Sequence, residues 1–443
     1  MFTNLRMVNF KSWKDTGDVR LAPLTVLFGG NSTGKSGLLQ MLLLFKQTTE
    51  SRDRNIVLQT GTDDPRSYVE LGTPSEITHF DKKSMDLTVG WEWPKREDSL
   101  VFPVPRKQGE SISLNSLEFS TTIHADGNNS YVSAFSYCQG RNEGQEVEIS
   151  LNQESGSEYS FDVRLGGLLA QRRQARPFKY MKSGKFYSIP FEGWMNYRSP
   201  SYLLDLEWEF IRQFQRVYHL GPLREFPQRI YRWSGERPTD VGTRGQRAIQ
   251  AILSEKLQKD ILRRLKKLGL AEAFSVRPLV RGSVLYEVRI RRHLQGQEVL
   301  LPDVGLGVSQ VLPVLVLCLY AEKHSTIILE HPDLHLHPYS QAALADFLVD
   351  VSQKRNVQLI IESHSEHLLR RLQRRTAEEK LRPPHEVALY FCDIEDGISR
   401  IEELNLDVFG RISNWPDDFF GDMDGDILEV LDKGLGKKIA ANA

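Results

Sequence analysis

The stretch GGNSTGKS, Gly29–Ser36, has the residue types and spacing of a phosphate-binding loop, G-x-x-x-x-G-K-[ST]. Glycines let the backbone curl until successive N–H groups point at phosphate oxygens. The helix that follows adds the partial positive charge of its N-terminus. In such a loop Lys35 reaches the β- and γ-phosphates, and the Ser36 hydroxyl holds Mg²⁺. Two later stretches carry further chemistry. ILEHPDLHLHP, Ile328–Pro338, reads as a buried strand ending in an acid, Glu330, followed at once by a histidine, His331. LIIESHSEHLLRRL, Leu359–Leu372, reads as a second strand with His364 just past its end. In open α/β sheets ligands gather at the carboxyl ends of strands, which is where these groups fall.

The elements that must position them are legible around each motif. LTVLFGG (Leu24–Gly30) is an apolar strand ending in glycines, and SGLLQMLLLFKQ (Ser36–Gln47) has helical character. From Leu301 a helix (SQVLPVLVLCLYAE), a strand (STIILE), a helix (SQAALADFLVDVSQ), a strand (VQLIIES) and a helix (EHLLRRLQRR) alternate, and EVALYFCDI and ISRIEEL add strands. That alternation predicts a mostly parallel sheet covered on both faces. Between Ile56 and Phe191 the texture is rich in Gly, Ser, Asn and Thr, with short alternating runs such as EVEISL and YSFDVRL. This predicts a β-rich insertion. GQRAIQAILSEKLQKDILRRLKKLG, Gly245–Gly269, predicts one long amphipathic helix with a basic end. There is no sequence repeat and no long heptad run.

The expected division is 1–55 for the N-terminal part of a head carrying the phosphate loop and 56–200 for the insertion. A linking region at 201–300, the C-terminal part of the head at 301–400 and an extension of unassigned role at 401–443 complete it. Length, 443 residues, allows this, and 40% hydrophobic with 26% charged residues suits a soluble globular chain. A net charge of -1 argues against a protein that coats nucleic acid electrostatically. Three scattered cysteines, Cys138, Cys318 and Cys392, form no disulfide framework and point to a reducing cytoplasm. The most apolar run, Val311–Ala321, falls short of the ~20 residues a membrane span needs.

A phosphate loop alone does not choose among kinases, GTPases and ATPases. The stretch from NFKSWKD through the loop to MLLLF resembles the N-terminus of RecF/SMC-type ATPases, which are ABC-class. DVGLGVSQVLPVL (Asp303–Leu315), ILEHPDLHLHP and LIIESHSEHLLRRL are similar, in that order, to the later motifs of the same class. They are most similar to a bacterial branch related to the ATPase halves of OLD-type and abortive-infection proteins. VYHLGPLREFPQRIYRWSG and the tail LNLDVFGRISNWPDDFFGD resemble that branch too.

The resemblance implies an ABC-type P-loop ATPase head that takes ATP and Mg²⁺ and pairs head to head with a second copy or in a higher oligomer. Asn31, Ser32, Thr33, Gly34, Lys35, Ser36 and Gly37 match its phosphate loop, with Ser32 where the family usually has glycine. A serine there implies a position that avoids a strongly left-handed backbone. Glu330 matches the metal-side acid and His364 the switch histidine that senses the γ-phosphate. His331 stands in the slot of the general base, and a neutral imidazole there implies slow or partner-gated hydrolysis. Asp333, beyond Pro332, is expected to point elsewhere. LGVSQ, Leu306–Gln310, sits where the signature precedes a helix, so that Gly307, Ser309 and Gln310 face the γ-phosphate of the other subunit. Independently of the family, Gly305 and Gly307 open a turn and Ser309 and Gln310 begin a helix with free N–H groups. The implied role is in defence against phage or in DNA maintenance, with a nuclease or toxin effector on another chain.

Other readings are weaker. His331, His335, His337, His364 and His367 suggest zinc, but alternation leaves them more simply on the polar rim of the sheet. In Asp417–Glu429 the alternate acids Asp422, Asp424 and Asp426 are followed by Ile427 where a calcium loop needs glycine, and no glutamate stands at the end of that loop. Arg172–Lys185 and Arg263–Gly269 are basic and are candidate nucleic-acid surfaces, against the simpler reading of solvated faces. A scaffold that binds nucleotide with little hydrolysis is the rival function, and a phosphotransferase a weaker one.

Overall fold

The chain opens with β1 (Phe2–Phe10), β2 (Trp13–Asp15), β3 (Val19–Arg20), β4 (Leu24–Gly29) and α1 (Lys35–Glu50). There follow β5 (Ser84–Glu92), β6 (Leu100–Pro103), β7 (Ser111–Leu114), β8 (Ser116–Asp126), β9 (Asn129–Gln139), β10 (Val147–Ser155), β11 (Glu158–Leu165) and β12 (Leu168–Leu169). The middle holds α2 (Phe191–Asn196), α3 (Ser201–Gln215), β13 (Val217–Leu220), β14 (Tyr231–Arg232), α4 (Ala248–Ser254), α5 (Gln258–Lys267), β15 (Ala273–Pro278), β16 (Leu285–Arg291) and β17 (Val299–Leu300). The last part is α6 (Leu306–Tyr320), β18 (Thr326–Glu330), α7 (Pro338–Arg355), β19 (Gln358–Glu362), α8 (Glu366–Ala377), β20 (Val387–Glu395) and β21 (Ile398–Glu403). This computed structural model describes residues 1–416 and 419, apart from 62–66, 81, 94–99, 104–109, 140–146, 156–157, 167, 171, 174–182 and 198–199.

Two sheets sandwich α1. The head sheet has the order β13-β18-β19-β4-β20-β21. All its pairings are parallel except β20 with β21. Residues alternate between its faces. Leu27, Ile328, Ile360 and Cys392 join the core that holds α1, whereas Val26, Phe28, Leu329 and Ile361 join the core of α6, α7 and α8. The same alternation puts Glu330 and Glu362, each two residues on, on the α1 face.

The second sheet is antiparallel, β12-β11-β10-β9-β8-β5-β1-β2, with β3 also on β1. Strands of the β-rich region thus extend a sheet begun by the first strand of the chain. Strand β8 alternates buried and half-buried positions, as a sheet with one covered face requires. Its covered face meets α1 in an aromatic cluster: Phe45 stacks on Phe186 with centroids 4.3 Å apart and lies edge-on to Phe119 and Phe214. This explains why α1 is apolar nearly all round: both of its sides are buried.

The stretch expected as one helix over Gly245–Gly269 is two, α4 and α5. Lys256 takes φ +55 between them, and a left-handed residue cannot continue a right-handed helix. The polar run Glu255–Lys256 has no apolar face to bury there, so propensity alone does not carry the helix through. Pro313, by contrast, sits inside α6 without ending it.

Gly29 ends β4 at φ +136 and pairs with Cys392 of β20. A Cβ at Gly29 would lie 2.0 Å from the Cys392 carbonyl oxygen, a backbone atom that cannot step aside. Gly29→Ala is expected to cost about 3 kcal/mol or more, by forcing apart two central strands. Gly30→Ala meets only Thr33 Cγ2, at 3.5 Å. Its urea unfolding midpoint should match the parent while that of Gly29→Ala drops; equal midpoints would refute the packing argument.

Candidate nucleotide and cation site

The phosphate loop leaves β4 and turns into α1, which begins at Lys35. The Lys35 ammonium folds back onto the loop, donating to the carbonyls of Gly29 at 3.1 Å and Gly30 at 2.5 Å. Burial lowers its pKa, and the nearby Glu362 carboxylate opposes that shift. Gly34 has φ +93, and a Cβ there would strike Ser399 Oγ at 2.4 Å and Trp13 Cε2 at 3.0 Å. Trp13 is fully buried and donates its indole N–H to the Gly34 carbonyl at 3.1 Å. It also packs against Gly37, whose built Cβ would lie 3.2 Å from the indole nitrogen. Trp13 and Ser399 therefore clamp the loop from outside. Thr33 Oγ1 donates to the Gly30 carbonyl at 3.0 Å, while Asn31 and Ser32 are exposed at the apex.

The expectation for Ser32 fails. Its φ is +62, inside the left-handed region. A non-glycine residue there costs roughly 1 kcal/mol. The curl that aims the loop N–H groups outweighs that cost, and an exposed side chain meets nothing that adds to it.

Glu362 is the group that sequence reading missed. It ends β19 and is paired in register with Glu330 on one side and Leu27 on the other. Ser36 Oγ donates to its two carboxylate oxygens at 3.0 and 3.3 Å, and Lys35 Nζ stands 3.9 Å away. Burial raises the Glu362 pKa, against the pull of His331 and Lys35. Glu330, expected beside Ser36, is instead engaged by β13. Its Oε1 lies 2.7 Å from His219 Nε2. Arg224, just past β13, donates to its backbone carbonyl at 2.9 Å. His219 and Arg224 lie in VYHLGPLREFP, a stretch whose residues carried no assigned role.

His331 takes φ +47, and its N–H donates to the Glu362 carbonyl at 2.9 Å. That turn brings its ring over His364, with centroids 5.1 Å apart and planes 14° off parallel. Burial, then the charges of Lys35 and His331, push the His364 pKa down to about 4, so its imidazole is neutral at pH 7. Asp333 turns inward rather than away: it is buried and accepts from Ser363 Oγ at 2.8 Å. Burial raises its pKa, opposed by Ser363, His331 and Arg224.

Arg224 has two guanidinium nitrogens, Nε and Nη1, buried without a partner, and burial lowers its pKa to about 10. Arg224→Ala removes the cation beside Asp333 and a donor to Glu330. The expected loss is about 3 kcal/mol. An unchanged urea midpoint would show the guanidinium to be a bystander.

The signature candidates lie at the start of α6. Gly305 is its N-cap residue and makes no side-chain cap. Ser309 Oγ donates back to the Leu306 carbonyl at 2.9 Å and is buried, so its hydroxyl is turned into its own helix. A Cβ at Gly307 would sit 2.9 Å from the His335 carbonyl oxygen, which places the turn of α6 against the loop that follows His331. Gln310 is half-buried. Of the other histidines, His337 caps α7 by accepting from the Tyr339 N–H, and His335 and His367 are exposed.

In the basic stretch at Arg263–Gly269, Arg263, Arg264 and Lys266 pair with Asp260, Asp350 and Glu272 at 3.4, 3.0 and 3.1 Å. Most of residues 172–185, and the acidic stretch at 417–429 except Phe419, lie outside the described residues. No helix among the described residues is long and apolar enough to cross a membrane.

Residues 151–370 match a family model described as an AAA domain, putative AbiEii toxin, type IV TA system. Residues 383–430 match a family described as a protein of unknown function, DUF3696. The first match, over just under half of the chain, makes that stretch similar to an AAA-type ATPase domain, and the phosphate loop that leaves β4 is consistent with it. The description of that domain connects this similarity to the AbiEii-type abortive-infection toxins. No curated protein matches the chain.

Solved structures similar to it include an SmcHead bound to the C-winged helix domain of ScpA, at 13% identity, covering 92% of this chain and 98% of that one, with a TM-score of 0.46. The SMC head domain from Thermotoga maritima is 11% identical, covers 91% and 99%, and has a TM-score of 0.40. An Smc head with an extended coiled coil bound to the C-terminal domain of ScpA, from Pyrococcus furiosus, is 11% identical, covers 91% and 96%, and has a TM-score of 0.44.

Proposed function

We propose that this chain is a molecular switch that binds ATP and Mg²⁺, hydrolyses ATP slowly, and associates head to head around the nucleotide. It passes that change to a separate effector, a nuclease or toxin, in cytoplasmic anti-phage defence. The observation that carries the reading is the state of the phosphate loop. Its ammonium rests on its own carbonyls, and its Ser36 hydroxyl rests on a buried carboxylate. Both are groups that phosphate and a cation exchange for better partners.

The residues fit a hard cation. Ser36, Glu362 and Glu330 supply oxygen donors, and Glu362 is a desolvated acid whose nearest ammonium is 3.9 Å away. Bound Mg²⁺ supplies charge neutralisation at the phosphates. The chain does the rest. Lys35 and the loop N–H groups hold the phosphates. His364, neutral, donates one N–H toward the γ-phosphate. His331 takes a proton from the attacking water, with its backbone pinned to Glu362. Its imidazole brings no negative charge, so the step is slow and the ATP-bound state long-lived.

Coupling runs through α1, which joins the loop directly to the aromatic core of the antiparallel sheet. Light scattering with and without ATP–Mg²⁺ tests the switch. The mass should double with nucleotide and return on hydrolysis. A monomer at saturating ATP would refute head-to-head association. The rival, a scaffold that binds nucleotide without turnover, is favoured by the same His331. A single-turnover assay separates them, because a scaffold releases no phosphate within the lifetime of the dimer.

A further inference from the structure

Beyond the nucleotide, the site carries a second donor set of different chemistry. One ligand atom from each of His331, Glu362 and His364 lies within 4.8 Å of the others. No other such group of three His, Cys, Asp or Glu converges among the described residues. The cluster is built by backbone rather than by chance rotamers. Glu362 ends β19 with His364 two residues beyond it, and the His331 N–H is tied to the Glu362 carbonyl at 2.9 Å. The Ser36 hydroxyl holds the carboxylate in place from the other side.

The donors are two imidazole nitrogens and one carboxylate oxygen. Mg²⁺ and Ca²⁺ favour all-oxygen sets, whereas imidazole suits Zn²⁺ and its neighbours. Three protein ligands with a fourth position left to water is the pattern of an open zinc site. Ligand atoms on one tetrahedral zinc lie about 3.3 Å apart. His331 Nε2 is 3.9 Å from Glu362 Oε1, so that pair is nearly closed. His364 is exposed and its ring is stacked on that of His331, so a change of its side-chain rotamer closes the remaining distance. We propose that His331, Glu362 and His364 form a binding site for a transition-metal dication, with Zn²⁺ the fitting ion. The sequence pattern alone spread five histidines along the rim. The fold selects two of them and adds a carboxylate.

The test uses the full chain, stripped with chelator and free of nucleotide, so that it does not depend on the ATP reading. Co²⁺ is titrated in and its visible d–d absorption followed, then Zn²⁺ is added. The expected result is one equivalent of Co²⁺, an intense band of low coordination number, and displacement by stoichiometric Zn²⁺ but not by excess Mg²⁺. His331→Ala, His364→Ala and Glu362→Gln should each weaken binding at least about tenfold. His335→Ala and His367→Ala, which alter exposed histidines outside the cluster, should leave it unchanged. His364 is itself exposed, so its variant keeps the core intact and the test stays readable. No stoichiometric band, a band abolished by Mg²⁺, or a band that survives both His331→Ala and His364→Ala overturns the proposal. A chain that binds Co²⁺ but not ATP sinks the switch alone; the reverse sinks the metal site alone.

Discussion

Lys35→Ala should abolish ATP-dependent association and lower ATP turnover by about 10²–10³-fold, the usual effect of removing one preorganised charge at a phosphoryl group. The argument is local. The ammonium already lies against Gly29 and Gly30, at the mouth of the loop, with its side chain buried. Alanine removes the only loop group able to follow a phosphate inward as a full charge. It also frees two loop carbonyls, so the empty protein should lose some cohesion there. Isothermal titration with a non-hydrolysable ATP analogue reads the first effect and urea unfolding the second. An analogue affinity within threefold of the parent, in a folded variant, would remove the basis of the switch.

His331→Glu should raise basal turnover, by roughly tenfold or more, since a positioned carboxylate base is worth about 10²–10⁴-fold and the imidazole supplies part of that already. The structure adds a condition. The new carboxylate would stand close to Glu362, from which the His331 ring is now 3.9 Å. Two adjacent carboxylates repel unless a cation lies between them. The gain should therefore appear only at saturating Mg²⁺.

Stability without Mg²⁺ should move the other way. The Glu362 pKa is already raised in the folded chain, chiefly by burial. A group with a raised folded pKa contributes stability at low pH and loses it as pH rises through that pKa. A second acid beside it extends the same loss. The apo unfolding midpoint of His331→Glu should thus fall more steeply with rising pH than that of the parent. A turnover that is unchanged or lower at saturating Mg²⁺ would show that residue 331 is not at the base position.

Much of the site was legible because it is local. Gly29–Ser36 needs no partner to be recognised, and the alternation after Leu301 announces strands ending in Glu330 and near His364. Glu362 lies inside LIIESHSEHLLRRL but escaped notice, because the chemistry of that stretch was read at His364 and the metal-side acid at Glu330. Only the order β18-β19-β4 shows that β19, not β18, lies beside the phosphate loop. His219 and Arg224 were hidden for the same reason: β13 meets β18 across more than a hundred residues of chain. The single helix expected at Gly245–Gly269 came from reading propensity without packing. A left-handed Lys256 decided otherwise.

The sequence by itself determined the phosphate loop, the class of sheet around it, and the histidine that directly follows Glu330. These rest on short-range rules: a glycine where φ must be positive, an apolar period, a residue following its neighbour. The tertiary structure decided which carboxylate Ser36 meets, which two histidines stack, and that α1 lies between two sheets. Those depend on which strands become neighbours. In a sheet built by crossovers, that order follows from burying every apolar face at once, and no local spacing encodes it.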